Sequence, residues 1–343
     1  MKPIYLDCNA TSPIEPEVLK IMDHFLKEEF GNAGSRTHEM GHKASKAVND
    51  ARRKIAELIE TDLNDVIFTS GATESNNLAI LGLKNHGEQK NKRHIITSTA
   101  EHKATLEPLE ILSQEGFEIQ KLKVDQYGRP NLEILKESIR EDTLLISLIH
   151  GNNETGVLND IDGVCKILNE FDSDAFLHID AAQSFGKIIG PLKNQRIDLL
   201  SLSSHKVYGP KGIGALVMRT RNYEKPPLTP LIYGGGQERG LRAGTLPVHL
   251  IAGFGKASEL ANLYHEERIL KCANIKKDAL SSFADLNPLI NGGLEEVMSH
   301  TLNVSFPGIN SEAAMIALKD IAFVSNGSAC TSTEYSLSHV LSA

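Results

Sequence analysis

The chain has 343 residues, enough for about two domains or for one large α/β unit with an appendage. Hydrophobic residues make up 41% of the chain and charged residues 23%, so a sizeable core can form and disorder is not expected. The 44 acidic and 36 basic residues leave a formal net charge of −8. Because binding to a phosphate backbone needs a dense basic surface, this balance argues against a nucleic-acid-binding protein.

The sequence predicts a cytoplasmic protein with no membrane segment. Residues 1–7 contain no apolar stretch followed by a small-residue cleavage site, so no signal peptide is predicted. No segment approaches the ~20 apolar residues that a membrane-spanning helix needs. The four cysteines include no CxxC pair, and we expect reduced thiols rather than disulfides.

Short apolar or β-branched runs alternate with amphipathic patterns along the first 220 residues. This alternation indicates parallel strands joined by right-handed crossovers, as in α/β proteins. Helical patterns cover Leu132–Arg140 and Gly163–Asn169. The predicted strands are Val66–Ser70, His94–Ser98, Leu144–His150, Phe176–Asp180, Leu199–Ser203 and Gly214–Met218.

A Pro- and Gly-rich passage from Pro226 to Gly244 predicts an extended loop before a long helix near Val248–Leu270. We place the change of domain around that helix. A large domain is expected over residues 13–250, and a smaller α/β domain over residues 251–343, with residues 1–12 packed against it.

Polar clusters follow four of the predicted strands. Functional residues of parallel sheets lie just beyond the carboxyl ends of the strands, so these clusters are expected to share one site. They are Ser70–Thr73, His150–Asn153, Asp180–Gln183 and Ser203–Lys206.

Three of these clusters have a functional and an ordinary interpretation. The segment Gly71–Asn77 opens a helix, where backbone N–H groups can bind a phosphate, or where Thr and Ser simply cap the helix. Asp180 can hold the proton of a ring nitrogen or can cap the next helix. Lys206 can form a Schiff base, although most lysines are solvated surface residues; its position after a core strand favours a function.

Cys330 lies in a stretch of small, mostly polar residues, 325–332. An exposed loop thiol can reach a substrate and act as a nucleophile, whereas structural cysteines usually lie among apolar residues. Cys8, Cys165 and Cys272 lack this setting, and we assign them core or incidental roles.

The segment His38–His42 fits the HExxH zinc-protease pattern. That chemistry needs both histidines on one face of a stable helix, with a third ligand elsewhere. Gly31, Gly34 and Gly41 crowd the region, so we expect no zinc site.

Taken together, the segments resemble those of the cysteine desulfurases, the NifS/IscS-like group in class V of the fold-type-I enzymes that depend on pyridoxal 5′-phosphate (PLP). The resemblance spans almost the whole chain and implies a large, mostly parallel sheet domain with helices on both faces, plus a smaller α/β domain. The matching segments, in order, are Tyr5–Asp7, Ser70–Asn77, Ala100–Lys103, His150–Val157, Asp180–Lys187, Ser204–Gly212, Gly234–His249 and Ser328–Ser332.

The resemblance assigns the reacting groups. Lys206 would bind PLP covalently, Asp180 would pair with the ring nitrogen, and His102 would stack on the ring and help to move protons. Cys330 would attack the sulfur of the substrate L-cysteine and keep it as a persulfide while L-alanine leaves. No resident metal is implied, and Cys330 would contact one only through a transferred iron–sulfur cluster.

Other residues would bind the cofactor. Gln183 and Asn153 would contact the ring oxygen and its surroundings. Thr245 would reach the phosphate of a neighbouring subunit, which implies a homodimer. The residues implied to hold the phosphate are Ala72, Thr73, Ser203 and His205.

The resemblance leaves the partners and one contact open. The sulfur acceptor could be an iron–sulfur scaffold protein, or could serve tRNA thiolation or DNA sulfur modification. Members of the family usually continue past the equivalent of Ala343 through an Arg-x-Ser-x-Gly motif whose arginine grips the substrate carboxylate, and no residue here matches it. We therefore expect one of three things: the chain is truncated, another group holds the carboxylate, or activity is impaired. The alternatives are another class V PLP enzyme, such as a selenocysteine lyase or an aminotransferase, and a non-catalytic dimer.

Overall fold

The computed structural model describes residues 2–326 and 338–343. The helices are α1 Pro16–Lys27, α2 Glu39–Leu58, α3 Ala72–Leu81, α4 Lys84–Lys90, α5 Lys103–Gln114, α6 Leu132–Ser138, α7 Ile161–Glu170, α8 Val248–Phe283, α9 Ser311–Leu318 and α10 His339–Ser342. The strands are β1 Ile4–Tyr5, β2 Val66–Thr69, β3 His94–Ser98, β4 Glu118–Leu122, β5 Thr143–Ile149, β6 Phe176–Asp180, β7 Leu199–Ser203, β8 Gly214–Met218, β9 Leu289–Ile290, β10 Val304–Ser305 and β11 Ala322–Phe323.

Seven strands form the main sheet in the order β2-β8-β7-β6-β5-β3-β4. Strand β8 is antiparallel to both of its neighbours, and the other adjacent pairs are parallel. Six strands therefore run in one direction, and the carboxyl ends of β2, β3, β5, β6 and β7 meet at one edge.

Helices cover both faces of this sheet. Successive strand residues point to opposite faces, so Ile67 packs in one apolar cluster and Phe68 in the other. Helices α1, α2, α7 and α8 complete the cluster of Phe68, and α3 and α5 complete that of Ile67. The predicted α/β architecture is confirmed.

All six predicted strands are present, with ends shifted by at most one residue. The predicted helices correspond to α6 and α7. The predicted end of the long helix at Leu270 is wrong, because α8 continues without a break to Phe283. Beyond Leu270 the helix has no buried residue, so the apolar periodicity fades although the residues still favour a helix.

The amino-terminal residues are attached to the last part of the chain. β1 pairs with β11 in parallel, with Ile4 opposite Ala322 and Tyr5 opposite Phe323. β9 and β10 form a second, antiparallel pair. The position of the domain boundary stays a prediction. Among the described residues, no helix is long and apolar enough to cross a bilayer.

Gly214 is expected to be intolerant of a side chain. A Cβ atom there would lie 2.4 Å from the carbonyl oxygen of Leu202 and 2.6 Å from the Cα atom of Gly71, both backbone atoms. Gly214→Ala should therefore lower the melting temperature, at a cost of about 1–3 kcal/mol from overpacking. Gly190→Ala is the matched control, because no heavy atom lies within 4 Å of the added Cβ. Equal melting temperatures for the two variants, measured by circular dichroism, would contradict this expectation.

Candidate active site

The four polar clusters line one cleft of about 1420 Å³ at the carboxyl edge of the sheet. The opposite wall comes from α8 and from residues 299–306. The sequence-predicted residues that line this cleft are Ala72, Thr73, His102, Asn153, Asp180, Gln183, Ser203, His205 and Lys206. The fold therefore brings these residues together at one edge of the sheet, as expected. Their individual roles remain predictions.

Asp180 ends β6 and is buried, with 3% of its surface exposed. Its Oδ2 atom accepts a hydrogen bond from Asn76 Nδ2 at 2.7 Å, and its Oδ1 atom accepts one from the Ala182 backbone N–H at 2.9 Å. The second bond is local, but residues 182–187 form turns and not a helix, so the expected helix cap at Asp180 is not what the structure has. The first bond comes from another element, and it holds the carboxylate at the floor of the cleft.

Lys206 is half-buried and ends a short 3-10 turn, Ser204–Lys206, directly after β7. Its ammonium donates hydrogen bonds to the carbonyl oxygens of Asn9 and, at 3.0 Å, Ala10. The chain then turns through Tyr208, which has a positive φ of 62°. Ser12 supports this turn, since its hydroxyl donates to the His205 carbonyl and accepts from the Tyr208 N–H, both at 2.8 Å.

The end of the cleft beside α3 suits an anion. The helix begins after Gly71 without a side-chain cap, so Thr and Ser do not cap it. Its first-turn N–H groups have no partner within the helix, and the helix dipole adds partial positive charge there. His205 lies nearby with its Nδ1 atom 3.2 Å from Thr11 Oγ1, and burial, helped by the charge of Lys206, lowers its pKa to about 4. A neutral His205 can therefore take part in hydrogen bonding without adding charge.

His102 is held in one orientation as the N-cap of α5, because its Nδ1 atom accepts from the Ala104 N–H at 3.0 Å. In the neutral ring this leaves the proton on Nε2. Gln183 donates from Nε2 to the Asn9 carbonyl oxygen at 2.9 Å. The amide oxygens of Gln183 and Asn153 are buried and have no partner among the described residues. Such atoms indicate an occupant with hydrogen-bonding groups.

Asn76 and Glu101 belong to the environment of Asp180, and sequence reasoning gave them no role. Glu101 is fully buried, and its Oε1 atom accepts from Ser98 Oγ at 2.6 Å. Burial, and secondarily the charge of Asp180, raises its pKa to about 8. The sequence carries no direct signal for Asn76, because its bond to Asp180 joins segments 104 residues apart, whereas the position directly before His102 was the signal for Glu101.

Thr245 and Cys330 are not part of the described cleft. Thr245 is exposed and absent from the cleft lining, and Cys330 lies outside the described residues. The histidines of the zinc-like motif do not share a helix face. His38 is the extended N-cap residue before α2, and its Nδ1 atom accepts from the Gly41 N–H, whereas His42 lies within the helix.

The sequence matches the profile of the aminotransferase class-V family over residues 4–342. This chain belongs to that family. A relative named cysteine desulfurase IscS, from Buchnera aphidicola subsp. Baizongia pistaciae, is 45% identical over 342 residues, 99% of this chain and 83% of the relative.

Two solved structures share the fold. A NifS-like protein matches with a TM-score of 0.91 and 36% identity, covering 100% of this chain and 89% of the other. SspA, solved in complex with cysteine, matches with a TM-score of 0.85 and 36% identity, covering 100% and 94%.

Glu101 is expected to make the stability of the fold depend on pH. The unfolded chain releases the Glu101 proton near pH 4.5, but the folded chain keeps it until about pH 8. Between these values the unfolded state binds fewer protons, so the free energy of unfolding falls as pH rises, by up to about 1.4 kcal/mol per pH unit. Glu101→Gln cannot ionise and should flatten this slope.

Urea unfolding at pH 5, 6.5 and 8 measures that slope. Glu110→Gln, which removes an exposed carboxylate from α5, the helix that begins two residues after Glu101, controls for the loss of one charge. An unchanged slope in Glu101→Gln would show that Glu101 is not held neutral by the fold.

Proposed function

We propose that this chain is a PLP-dependent cysteine desulfurase that converts L-cysteine to L-alanine and holds the sulfur as a persulfide on Cys330. The observation that carries the proposal is the placement of two side chains in one cleft. The buried carboxylate of Asp180 ends one strand, and Lys206 follows the adjacent strand. The 45% identity to a protein named cysteine desulfurase supports the choice of reaction.

The residues of the cleft fit PLP. The uncapped start of α3, with Ala72, Thr73, Ser203 and His205 beside it, offers hydrogen bonds and partial positive charge to a phosphate. The unpartnered amide oxygens of Gln183 and Asn153 leave unused hydrogen-bonding capacity for the polar ring substituents.

Each end of the site would hold a different part of the cofactor. Asp180 would keep the ring nitrogen protonated, with Asn76 fixing the direction of its carboxylate. His102, fixed by its bond to the Ala104 N–H, would stack on the ring. Lys206 would bind the aldehyde carbon.

When bound, PLP supplies an aldehyde for the substrate amine and a protonated ring that accepts electrons from the substrate Cα atom. Lys206 and His102 would take up and return protons at the substrate, because both side chains line the cleft and each carries a nitrogen that can hold a proton.

The Cys330 thiolate would then attack the substrate sulfur, which forms an S–S bond and breaks the Cβ–S bond. The electron pair left on Cβ takes a proton, so that L-cysteine and one thiol give L-alanine and one persulfide. The reaction needs no external oxidant, because the sulfur is oxidised while the Cβ atom is reduced.

The remaining features of the proposal concern partners. A persulfide on Cys330 needs an acceptor, such as an iron–sulfur scaffold protein, and a catalytic thiol favours a reducing compartment such as the cytoplasm. We propose a homodimer in which Thr245 reaches the phosphate of the neighbouring subunit. Two features support it: Thr245 is exposed outside its own cleft, and Arg242, three residues before it, is tied to Glu74 of α3 at 2.9 Å.

The PLP-loaded chain should form alanine from L-cysteine in the presence of a reductant. Cys330→Ala should abolish both alanine and sulfide, because the attacking thiolate is lost, while the visible absorbance of bound PLP stays. Cys8→Ala, which removes another thiol of the cleft, is the control and should keep the activity. Turnover by Cys330→Ala would refute the persulfide assignment, and no alanine from the loaded wild-type protein would refute the function.

Asp180→Asn should lower the rate of alanine formation by about 100-fold or more, because the charge that keeps the ring protonated is lost in a buried site. The amide is similar in shape, so the melting temperature should change little. Asp160→Asn is the control, since Asp160 caps α7 from the surface and Asn caps equally well. A wild-type rate in Asp180→Asn would exclude a role for this carboxylate in the reaction.

A further inference from the structure

An ion pair lies beside the start of α3, next to the end of the cleft that suits an anion. Arg242 Nε donates to Glu74 Oε1 at 2.9 Å, and the two side chains are mostly buried, with 22% and 17% of their surfaces exposed. Neither residue lines the described cleft, although Ala72 and Thr73, directly before Glu74, do. The pair therefore lies behind the wall of the cleft and not in the space that a ligand would fill.

Glu74 is the third residue of α3, and its side chain turns back along the chain. Its Oε2 atom accepts a hydrogen bond from the Ser70 backbone N–H at 2.7 Å. A carboxylate in this position lies near the partial positive charge of the helix start and weakens the attraction of that end for a second anion. A phosphate bound to the first-turn N–H groups would be repelled by Glu74 if the charge of the carboxylate were not balanced.

Arg242 balances that charge. Burial alone would raise the pKa of Glu74, but the hydrogen bonds from Arg242 and from Ser70 hold this pKa below its usual value. Glu74 is therefore ionised at neutral pH, and the guanidinium beside it is charged as well, because arginine keeps its proton in proteins. The pair has no net charge, so the partial positive charge of the helix start remains available to a phosphate.

The loop that carries Arg242 is fixed to the sheet four residues earlier. Glu238 is buried, and its carboxylate accepts from the Phe68 N–H of the edge strand β2 at 2.6 Å and pairs with Arg52 of α2. Glu238 and Arg239 both have a positive φ, 48° and 60°, so the loop follows an uncommon path that these buried contacts maintain. Because β2 leads directly into the turn before α3, the loop and the helix start are attached to the same strand.

We propose that Arg242 is a positioning residue for the cofactor phosphate, because by neutralising Glu74 it keeps the start of α3 attractive to that group. This inference rests on the proposed function, which puts the phosphate of PLP at the helix start. PLP and pyridoxal share the ring and the aldehyde, and only PLP carries the phosphate. Loss of the Arg242 charge should therefore weaken the binding of PLP and leave that of pyridoxal unchanged.

Titration of the full chain, freed of bound cofactor, with PLP and with pyridoxal tests the proposal. Visible absorbance follows the binding of both compounds. Arg242→Gln should raise the dissociation constant of PLP by about tenfold or more, since it leaves an unbalanced carboxylate beside the phosphate. The dissociation constant of pyridoxal should not change.

Removal of the carboxylate as well should restore the binding of PLP. Glu74→Gln keeps an oxygen that can accept from the Ser70 N–H, so this variant should bind PLP at least as tightly as the wild type. The double variant, Glu74→Gln with Arg242→Gln, carries neither charge, and its dissociation constant for PLP should return close to the wild-type value. Arg140→Gln is the matched control and should bind PLP normally, because Arg140 pairs with Glu118 of β4 at the opposite edge of the sheet.

A double variant that binds PLP as weakly as Arg242→Gln would overturn the proposal, because it would show that the charge of Glu74 does not matter. Equal weakening of PLP and pyridoxal in Arg242→Gln would also overturn it, since this result indicates a structural role. If circular dichroism shows that Arg242→Gln does not fold, Glu74→Gln decides, and weaker binding of PLP by that variant overturns the proposal. Failure of the proposed function is distinguishable, since it appears as absence of alanine from the PLP-loaded wild type, whereas binding of the two compounds is measured without turnover.

Discussion

The hydrogen bond between Asn76 and Asp180 is the contact on which the geometry of the site depends. A carboxylate buried at the end of a central strand is costly unless its oxygens are satisfied. The bond joins β6 to α3 across 104 residues of sequence. The bond therefore fixes the position of α3 relative to β6. The first turn of α3 faces the anion end of the cleft, and β6 carries the carboxylate.

A polar row inside the sheet supports the same strands. His178 on β6 bonds Ser147 on β5 at 2.8 Å through Nδ1 and Ser201 on β7 at 2.9 Å through Nε2. Burial lowers the pKa of His178 to about 4, so the ring is neutral and donates to one serine while accepting from the other. A one-residue slip of either neighbour would leave a buried ring nitrogen unpaired, and the row thus specifies the register that brings the strand ends together.

The parts of the fold that follow from local pattern could be predicted from the sequence. Buried strands read as apolar runs, and this gave β6, β7 and β8 with their exact limits. β4 was missed because Glu118–Leu122 is an edge strand with mostly exposed or half-exposed residues. The reversal of β8 was not predicted either, since strand direction depends on the path of the connections.

Some residues of the candidate site could likewise be found from local pattern, and others could not. Asp180 ends an apolar run and Lys206 follows one by three residues, so position made both candidates, and the family resemblance then assigned their roles. Asn76 and the Glu74–Arg242 ion pair depend on distant segments meeting, and a single sequence carries no direct signal for that. The role of Cys330 rests on its sequence setting, because it lies outside the described residues.

The pairing of β1 with β11 has a consequence for the order of folding during synthesis. Asn9, four residues after β1, contacts both Lys206 and Thr301, yet β1 has no strand partner until residues 322–323 leave the ribosome. At about 5–20 residues per second, that partner follows after some tens of seconds. The main sheet can form during this interval, whereas the wall that Asn9 completes cannot. The cleft is therefore completed only after residues 322–323 have been made, later than the main sheet.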